Sequence, residues 1–153
     1  MSDWVDYRSA DAGFAVSHPV GWRAAEGIAG AALVLVAGEP GTGGFAANLS
    51  VTAQALPEPV GLDKFGAAQL GGLGELLTDV RLVDRGEAKL LGHAGGRVLV
   101  TYRQGIHTLA LEQWWAVAGP GAVVVSGTCA VLDYDTYADD FSRIVASLRV
   151  DGG

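Results

Sequence analysis

Alternation of apolar and polar side chains predicts most of the strands in this chain. In residues 47–55, Leu49 and Val51 alternate with polar side chains, which is typical of a strand with one dry and one wet face. Further segments with strand character cover residues 13–17, 31–37, 80–91, 97–103, 106–117 and 122–130. The connections at 104–105 and 118–121 are short enough for hairpins, so the strands are expected to pair antiparallel.

Apolar residues three to five positions apart predict two helices. The first covers residues 62–77 and carries four glycines, each costing about 0.5–1 kcal/mol relative to alanine in a helix interior. Either tertiary packing compensates for these glycines or they let another surface approach closely. The second helix starts at Asp133 or Asp135, either of which can cap it, and its apolar stripe ends at Leu148.

The order of these elements predicts the fold class. Strands, a helix, a long run of strands and a terminal helix give an α+β sandwich, in which a mainly antiparallel sheet is flanked by two helices. The chain has 153 residues and no internal repeat, so we expect one domain over residues 1–153 with an ordered core of about residues 7–150.

Composition and charge narrow the classes of function. Half of the residues are apolar and 18% are charged, which favours a folded protein, and the net charge of −7 argues against nucleic-acid binding. Cys129 is the single cysteine, so the chain has no internal disulfide and no cysteine-rich zinc site. The apolar runs are too short for membrane insertion, and the acidic start differs from a secretion signal, so a cytoplasmic location is expected.

The sequence carries no recognisable catalytic or metal-binding motif. His18, His93 and His107 have no metal-ligand spacing, and the aspartates of residues 133–140 lack the glycine and the distal glutamate of a calcium loop. The glycine-rich segment 38–44 lacks the lysine of a phosphate loop, and we interpret it as a mobile hairpin tip. We therefore expect no enzyme activity, no metal and no cofactor, while a site assembled in space from the three histidines stays open.

Residues 13–22 read Gly-Phe-Ala-Val-Ser-His-Pro-Val-Gly-Trp, a short strand that runs into a proline, a small turn and a tryptophan. This stretch resembles the opening of the PsbP/DcrB-like families, and the order of elements over residues 7–150 is similar to theirs. The resemblance implies an α/β/α sandwich that serves as a binding scaffold without a shared catalytic motif. Those families include photosystem accessory proteins, a nuclear import factor that binds a small GTPase, envelope lipoproteins and type VI effector chaperones. This chain lacks the lipoprotein signal and lipid cysteine, which favours a cytoplasmic adaptor or chaperone.

A tryptophan pair suggests one contact with a partner. In a regular strand Trp115 points to the core with Leu109 and Leu111, whereas Trp114 points the other way beside Glu112. If that other face is open, Trp114 and Glu112 form an interaction anchor. The alternative is that a helix covers the face.

The basic residues suggest a second contact. Residues 81–103 hold five basic and two acidic side chains, a balance of +3, which leaves −10 for the rest of the chain. Arg97 and Arg103 could therefore dock on an acidic patch of a partner or of a second copy. The alternative is that edge strands carry basic residues to resist aggregation.

These observations favour a non-enzymatic cytoplasmic adaptor or chaperone-like protein that binds a protein partner, or itself as a homodimer. Gly71 and Gly74 would allow a partner helix to pack closely against the first helix. The alternative function is binding of a small molecule or lipid in an apolar pocket between sheet and helix, for which the candidate lining residues are Trp22, Phe65, Tyr102 and Trp115.

Overall fold

The computed structural model describes residues 3–9, 13–28 and 30–150, which form ten strands and two α-helices. The elements in chain order are β1 (Trp4–Arg8), β2 (Phe14–Pro19), β3 (Arg23–Ile28), β4 (Ala31–Val36), β5 (Asn48–Ala55), α1 (Leu62–Leu76), β6 (Thr78–Leu90), β7 (His93–Gln104), β8 (His107–Ala118), β9 (Gly121–Ala130), α2 (Tyr134–Ser147) and β10 (Arg149–Val150). Short 3₁₀ turns at Thr42–Gly44 and Val131–Asp133 precede β5 and α2.

Seven strands form the larger sheet in the order β3-β4-β5-β9-β8-β7-β6, and every pair in it is antiparallel. The strands from β6 to β9 follow one another through two-residue turns, as the short connections at 104–105 and 118–121 predict. Gly105 and Gly119 adopt φ values of 60° and 57°, which glycine reaches without a steric penalty. The α+β class and the antiparallel sheet are confirmed.

A second, three-stranded sheet joins the two ends of the chain in the order β1-β2-β10. Its strand β1 begins at Trp4, three residues before the predicted start of the ordered core at about residue 7. The alternation of β1 is broken by charged residues, and pairing with β2 supplies its backbone hydrogen bonds. The Ser147 hydroxyl reinforces this closure by accepting a hydrogen bond of 2.8 Å from the Ser17 amide.

The larger sheet is covered on both faces, which gives the predicted α/β/α layering. We call the side that packs on α1 the α1 face, and the side that packs on α2 and the small sheet the α2 face. The core on the α2 face includes Phe14, Leu35, Trp114 and Phe141. The smaller core on the α1 face includes Phe65, Val98, Val100, Leu111, Trp115, Ala122 and Val124.

The start of α2 differs from the predicted cap. Asp133 occupies the N-cap position, but its side chain makes no capping hydrogen bond. Its carboxylate instead accepts hydrogen bonds from the amide and the hydroxyl of Thr42, at 2.8 and 2.6 Å. The glycine-rich segment 38–44 lies in the connection between the antiparallel strands β4 and β5, so it is the hairpin tip that the sequence predicts. The contact with Asp133 ties this tip to the start of α2.

Candidate functional site

Trp114 and Trp115 lie on opposite faces of the sheet, as the strand alternation predicts, but both are buried. Trp114 is 4% exposed in the core of the α2 face, and Trp115 is 5% exposed in the core of the α1 face. Two covered faces leave neither indole on the surface. The interpretation of Trp114 as an open anchor for a partner is therefore wrong, and the covered alternative is correct.

Glu112 and Arg97 bind each other rather than a partner. Nε of Arg97 lies 2.5 Å from Oε2 of Glu112, and the Tyr134 hydroxyl donates a hydrogen bond of 2.9 Å to Oε1. Nη1 of Arg97 also reaches Asp84 at 3.1 Å. Glu112 is 2% exposed, so this network neutralises a buried carboxylate. Glu112 is therefore closed to a partner, whereas Arg97 is a quarter exposed and its guanidinium is engaged within the fold.

The same network shifts the protonation equilibria of its members. The hydrogen bond from Arg97 is the main cause that lowers the pKa of Asp84. Burial, followed by the hydrogen bond to Glu112, raises the pKa of Tyr134 to about 12. Burial opposes the charge of Arg97, but hydrogen bonds to Asp84 and Glu112 outweigh it and raise the pKa of the guanidinium. The cluster thus consists of a permanent cation, two carboxylates and a neutral phenol.

The four residues proposed for an apolar pocket do not form one pocket. Trp22 lies on the α2 face, where its ring centroid is 6.1 Å from that of Tyr137 and 6.5 Å from that of Phe141. Phe65, Trp115 and Tyr102 lie in the core of the α1 face, on the other side of the sheet. The sheet separates the two groups, so the predicted shared pocket is wrong.

The glycines of α1 divide into two groups. A Cβ on Gly66 would lie 3.2 Å from Nε1 of Trp115, so the missing side chain lets the helix approach the indole. A Cβ on Gly71 or Gly74 would meet no atom within 4 Å, and both residues are exposed. The two explanations left open for these glycines therefore apply at different positions: close internal packing at Gly66 and an open outer surface at Gly71 and Gly74.

A cleft lies where α1 ends and β6 begins. We call it the α1-end cleft; its volume is about 590 Å³, and its walls include Leu76, Leu77, Asp79, Tyr102 and Arg103. The Leu76 side chain is 83% exposed. Sequence reasoning missed Leu76, because its position in the apolar stripe of the helix predicts burial.

Two members of the predicted binding set thus lie close to this cleft. Arg103 lines it, and Gly74 lies two residues before Leu76 on α1. Nη1 of Arg103 is 3.6 Å from Asp79, and its side chain is 63% exposed. The guanidinium therefore remains accessible to a partner.

A second concavity, the Trp115 groove, runs between α1 and the strands β6 and β7. Its volume is about 410 Å³. Its walls come from α1, from the facing strands β6 and β7, and from the indole on β8, through Leu62, Asp63, Gly66, Ala67, Leu70, Arg85, Gly86, Glu87, Gly95, Gly96 and Trp115. A Cβ on Gly96 would lie 2.5 Å from Cε2 of Trp115. The indole therefore lies across the bare backbone of Gly96 and beneath Gly66. Sequence reasoning missed both glycines, because they meet the same ring only in the folded chain.

The three histidines do not converge. His93 begins β7 and His107 follows its far end, so the length of a twelve-residue strand, roughly 40 Å, separates them. His18 is on β2 in the other sheet, where Nδ1 lies 2.9 Å from the Pro19 carbonyl. Within residues 3–9, 13–28 and 30–150, no group of three or more His, Cys, Asp or Glu side chains is placed to hold a metal ion.

Comparison with known proteins gives matches of structure alone. The sequence matches no established family model, and no curated protein matches it either. The solution structure of cyanobacterial PsbP from Synechocystis sp. PCC 6803 is 15% identical, with a TM-score of 0.68 over 98% of this chain and 94% of that one. The chain has a PsbP-like fold.

Two further structures share the PsbP-like fold. LpqN of Mycobacterium tuberculosis, described as involved in cell envelope biogenesis, is 15% identical, with a TM-score of 0.74 over 97% of this chain and 90% of that one. The Saccharomyces cerevisiae Ran-binding protein Mog1p is 12% identical, with a TM-score of 0.69 over 98% and 96% of the two chains. At these identities the likeness establishes the fold, which confirms the resemblance drawn from residues 13–22.

Neither α1 nor α2, the helices of the described residues, is both long and apolar enough to cross a bilayer.

Proposed function

We propose that this chain is a non-enzymatic adaptor or chaperone-like protein that binds a protein partner through the outer face of α1 and the α1-end cleft. The observation that carries the proposal is the exposure of Leu76 at the end of α1, where it lines the α1-end cleft. Exposed apolar side chains next to a cleft are typical of interaction sites.

The outer face of α1 suits a second helix. Gly71 and Gly74 are three positions apart, so they lie on one side of the helix, one turn from each other. Small residues at that spacing let two helix backbones approach closely. Leu76 projects from another side of α1 than these glycines, so a partner that continues past the end of the helix would place an apolar side chain in the cleft and an acidic one at Arg103.

The proposal includes a cytoplasmic location for the protein. A cytoplasmic location agrees with a single, free and buried thiol, Cys129, because oxidising compartments favour paired cysteines. The Ran-binding activity named for Mog1p belongs to that protein, and it supports the proposal only by showing that this fold can bind proteins. A second copy of this chain is the alternative occupant of the α1 surface.

The experiment replaces both outer glycines and compares partner binding with a matched control. Gly71→Leu with Gly74→Leu fills the α1 surface, and Ala146→Leu places the same side chain on the exposed side of α2. The tagged chain and both variants are used to isolate complexes from the host cell, and intact-mass measurement gives the stoichiometry.

We expect a stoichiometric protein partner with the wild type and with Ala146→Leu, and its loss with the glycine double variant. A partner that the double variant retains would contradict the proposed surface. A homodimer that only the double variant disrupts would assign the surface to self-association instead.

A further inference from the structure

The Trp115 groove contains a polar group that has no partner in the fold. Trp115 is 5% exposed, and its indole N–H donates no hydrogen bond to any of the described residues. None of their fully enclosed polar side-chain atoms lacks a partner, so the N–H must retain access to the groove that the indole lines. A nearly buried donor of this kind favours a ligand that brings an acceptor.

The glycines around the indole leave room for the ring between α1 and β7. A Cβ on Gly96 would overlap the atoms around Nε1, and a Cβ on Gly66 would crowd Nε1 at 3.2 Å. Gly95 and Gly96 are buried and lie side by side in β7, where they form a bare backbone surface within the groove. A ligand in the groove therefore meets main-chain surface at Gly95 and Gly96 next to the indole.

Charges of both signs flank the indole. Arg85 is on the wall formed by β6, together with Glu87, and Asp63 is on α1. None of the three forms an ion pair with another described residue. Arg85 and the indole N–H can hold a carboxylate, and the two acidic side chains favour an ammonium group beside it.

The remaining wall of the groove is apolar. Leu62 and Leu70 of α1 border it with Ala67 between them, and a volume of about 410 Å³ lies in the range of small-ligand sites. We propose that the Trp115 groove binds a small zwitterion with an apolar side chain, that is, an apolar α-amino acid. The carboxylate binds the indole N–H and Arg85, the ammonium group faces Glu87 and Asp63, and the side chain packs on the leucines.

The test uses L-leucine and L-phenylalanine as probes and titration calorimetry of the full chain as the readout. N-acetyl-L-leucine lacks the ammonium charge and L-leucinamide lacks the carboxylate. We expect each derivative to bind at least about tenfold more weakly than L-leucine, because each leaves one set of charges in the groove without a counterpart.

A matched pair of variants locates the site. Ala67 lines the groove, whereas the adjacent Ala68 does not, and both are exposed on α1. Ala67→Leu should abolish binding and Ala68→Leu should leave it unchanged, while urea unfolding shows that both variants fold. Arg85→Met should weaken the binding of L-leucine at least about tenfold, and it should reduce the difference in affinity between L-leucine and L-leucinamide.

Three results would overturn the proposal. One is the absence of saturable binding of either amino acid up to about 10 mM. Another is equal affinity for L-leucine and its two derivatives, which would remove the requirement for a zwitterion. The third is unaltered binding in Ala67→Leu, which would place the ligand elsewhere. None of these results bears on the partner surface at Gly71 and Gly74, so the two proposals fail independently.

Discussion

Arg97 and Glu112 form an ion pair across the β7–β8 ladder, in which one side chain is a quarter exposed and the other almost fully buried. The register places Arg97 opposite Trp114 and Glu112 opposite Leu99, so the two charged residues are diagonal neighbours on the α2 face. This pair lets a charged residue occupy a core position beside Trp114.

Removing the arginine should therefore destabilise the fold strongly. Arg97→Met leaves the carboxylate of Glu112 buried without its cation, and we expect the free energy of unfolding to fall by about 3–5 kcal/mol in urea titrations. The control is Arg103→Met, which breaks an exposed pair with Asp79 and should cost less than about 1 kcal/mol. Equal losses in the two variants would show that the network contributes no more than a surface ion pair.

Tyr134 should make stability depend on alkaline pH. Burial, and then its hydrogen bond to Glu112, raises the pKa of Tyr134 from 10.0 to about 12 in the folded chain. A raised pKa means that the fold favours the neutral phenol. The contribution of the Tyr134 phenol to the free energy of unfolding is therefore complete below pH 10, and it is lost as the pH rises from 10 to about 12.

The variant Tyr134→Phe isolates this contribution. We expect the difference in unfolding free energy between the wild type and the variant to be constant below pH 10 and to shrink towards pH 12. Urea titrations across that range measure it. A difference that does not change with pH would mean that the phenol titrates as it does in the unfolded chain.

The glycines of α1 should respond differently to alanine. Gly71→Ala and Gly74→Ala add a methyl group in open space, and each should raise the unfolding free energy by about 0.5–1 kcal/mol. Gly66→Ala has the same gain in helix propensity, but its methyl group would lie 3.2 Å from Nε1 of Trp115, so the gain should be cancelled or reversed. Thermal unfolding of the three variants gives the comparison, and equal stabilisation by all three would contradict the close packing of Gly66.

Asp133 should hold the glycine-rich segment rather than cap α2. Asp133→Ala removes the acceptor of the Thr42 amide, and exchange of that amide with deuterium should accelerate by the equivalent of about 0.5–1.5 kcal/mol. Asp135→Ala, two residues further along in the first turn of α2, should leave the exchange of Thr42 unchanged. If both variants instead fray the first turn of α2 and spare Thr42, Asp133 acts as a helix cap after all.

Local patterns were sufficient to predict both helices and six of the seven strands of the larger sheet; no predicted segment covers β3. β5 has buried Leu49 and Val51 against a more exposed opposite side, so its alternation reports its environment directly. By contrast, β1 carries charged residues and β10 has only two residues. Both strands depend on pairing with β2, which residues next to them in sequence do not reveal.

The candidate sites were less predictable than the fold, because they depend on contacts between distant residues. Alternation placed Glu112 and Trp114 on one face, but the sequence does not show that α2 covers that face or that Arg97 neutralises the carboxylate. Gly66 and Gly96 are thirty positions apart and meet only at the indole of Trp115. The residues next to such a glycine in sequence do not reveal that it makes space for a distant ring, because the same neighbours also occur around glycines without such a contact.

The position of β10 has a consequence for synthesis of the protein. Hairpins such as β7–β8 can form as soon as their own residues leave the ribosome, because their partners are adjacent in the chain. The small sheet cannot form this early, because β2 pairs with β10, which follows it by more than 130 residues. In this pairing Arg149 lies opposite Ala15. Nascent chains therefore carry an unfinished edge at β2 until translation has passed residue 150, and this is the interval in which they most need protection from aggregation.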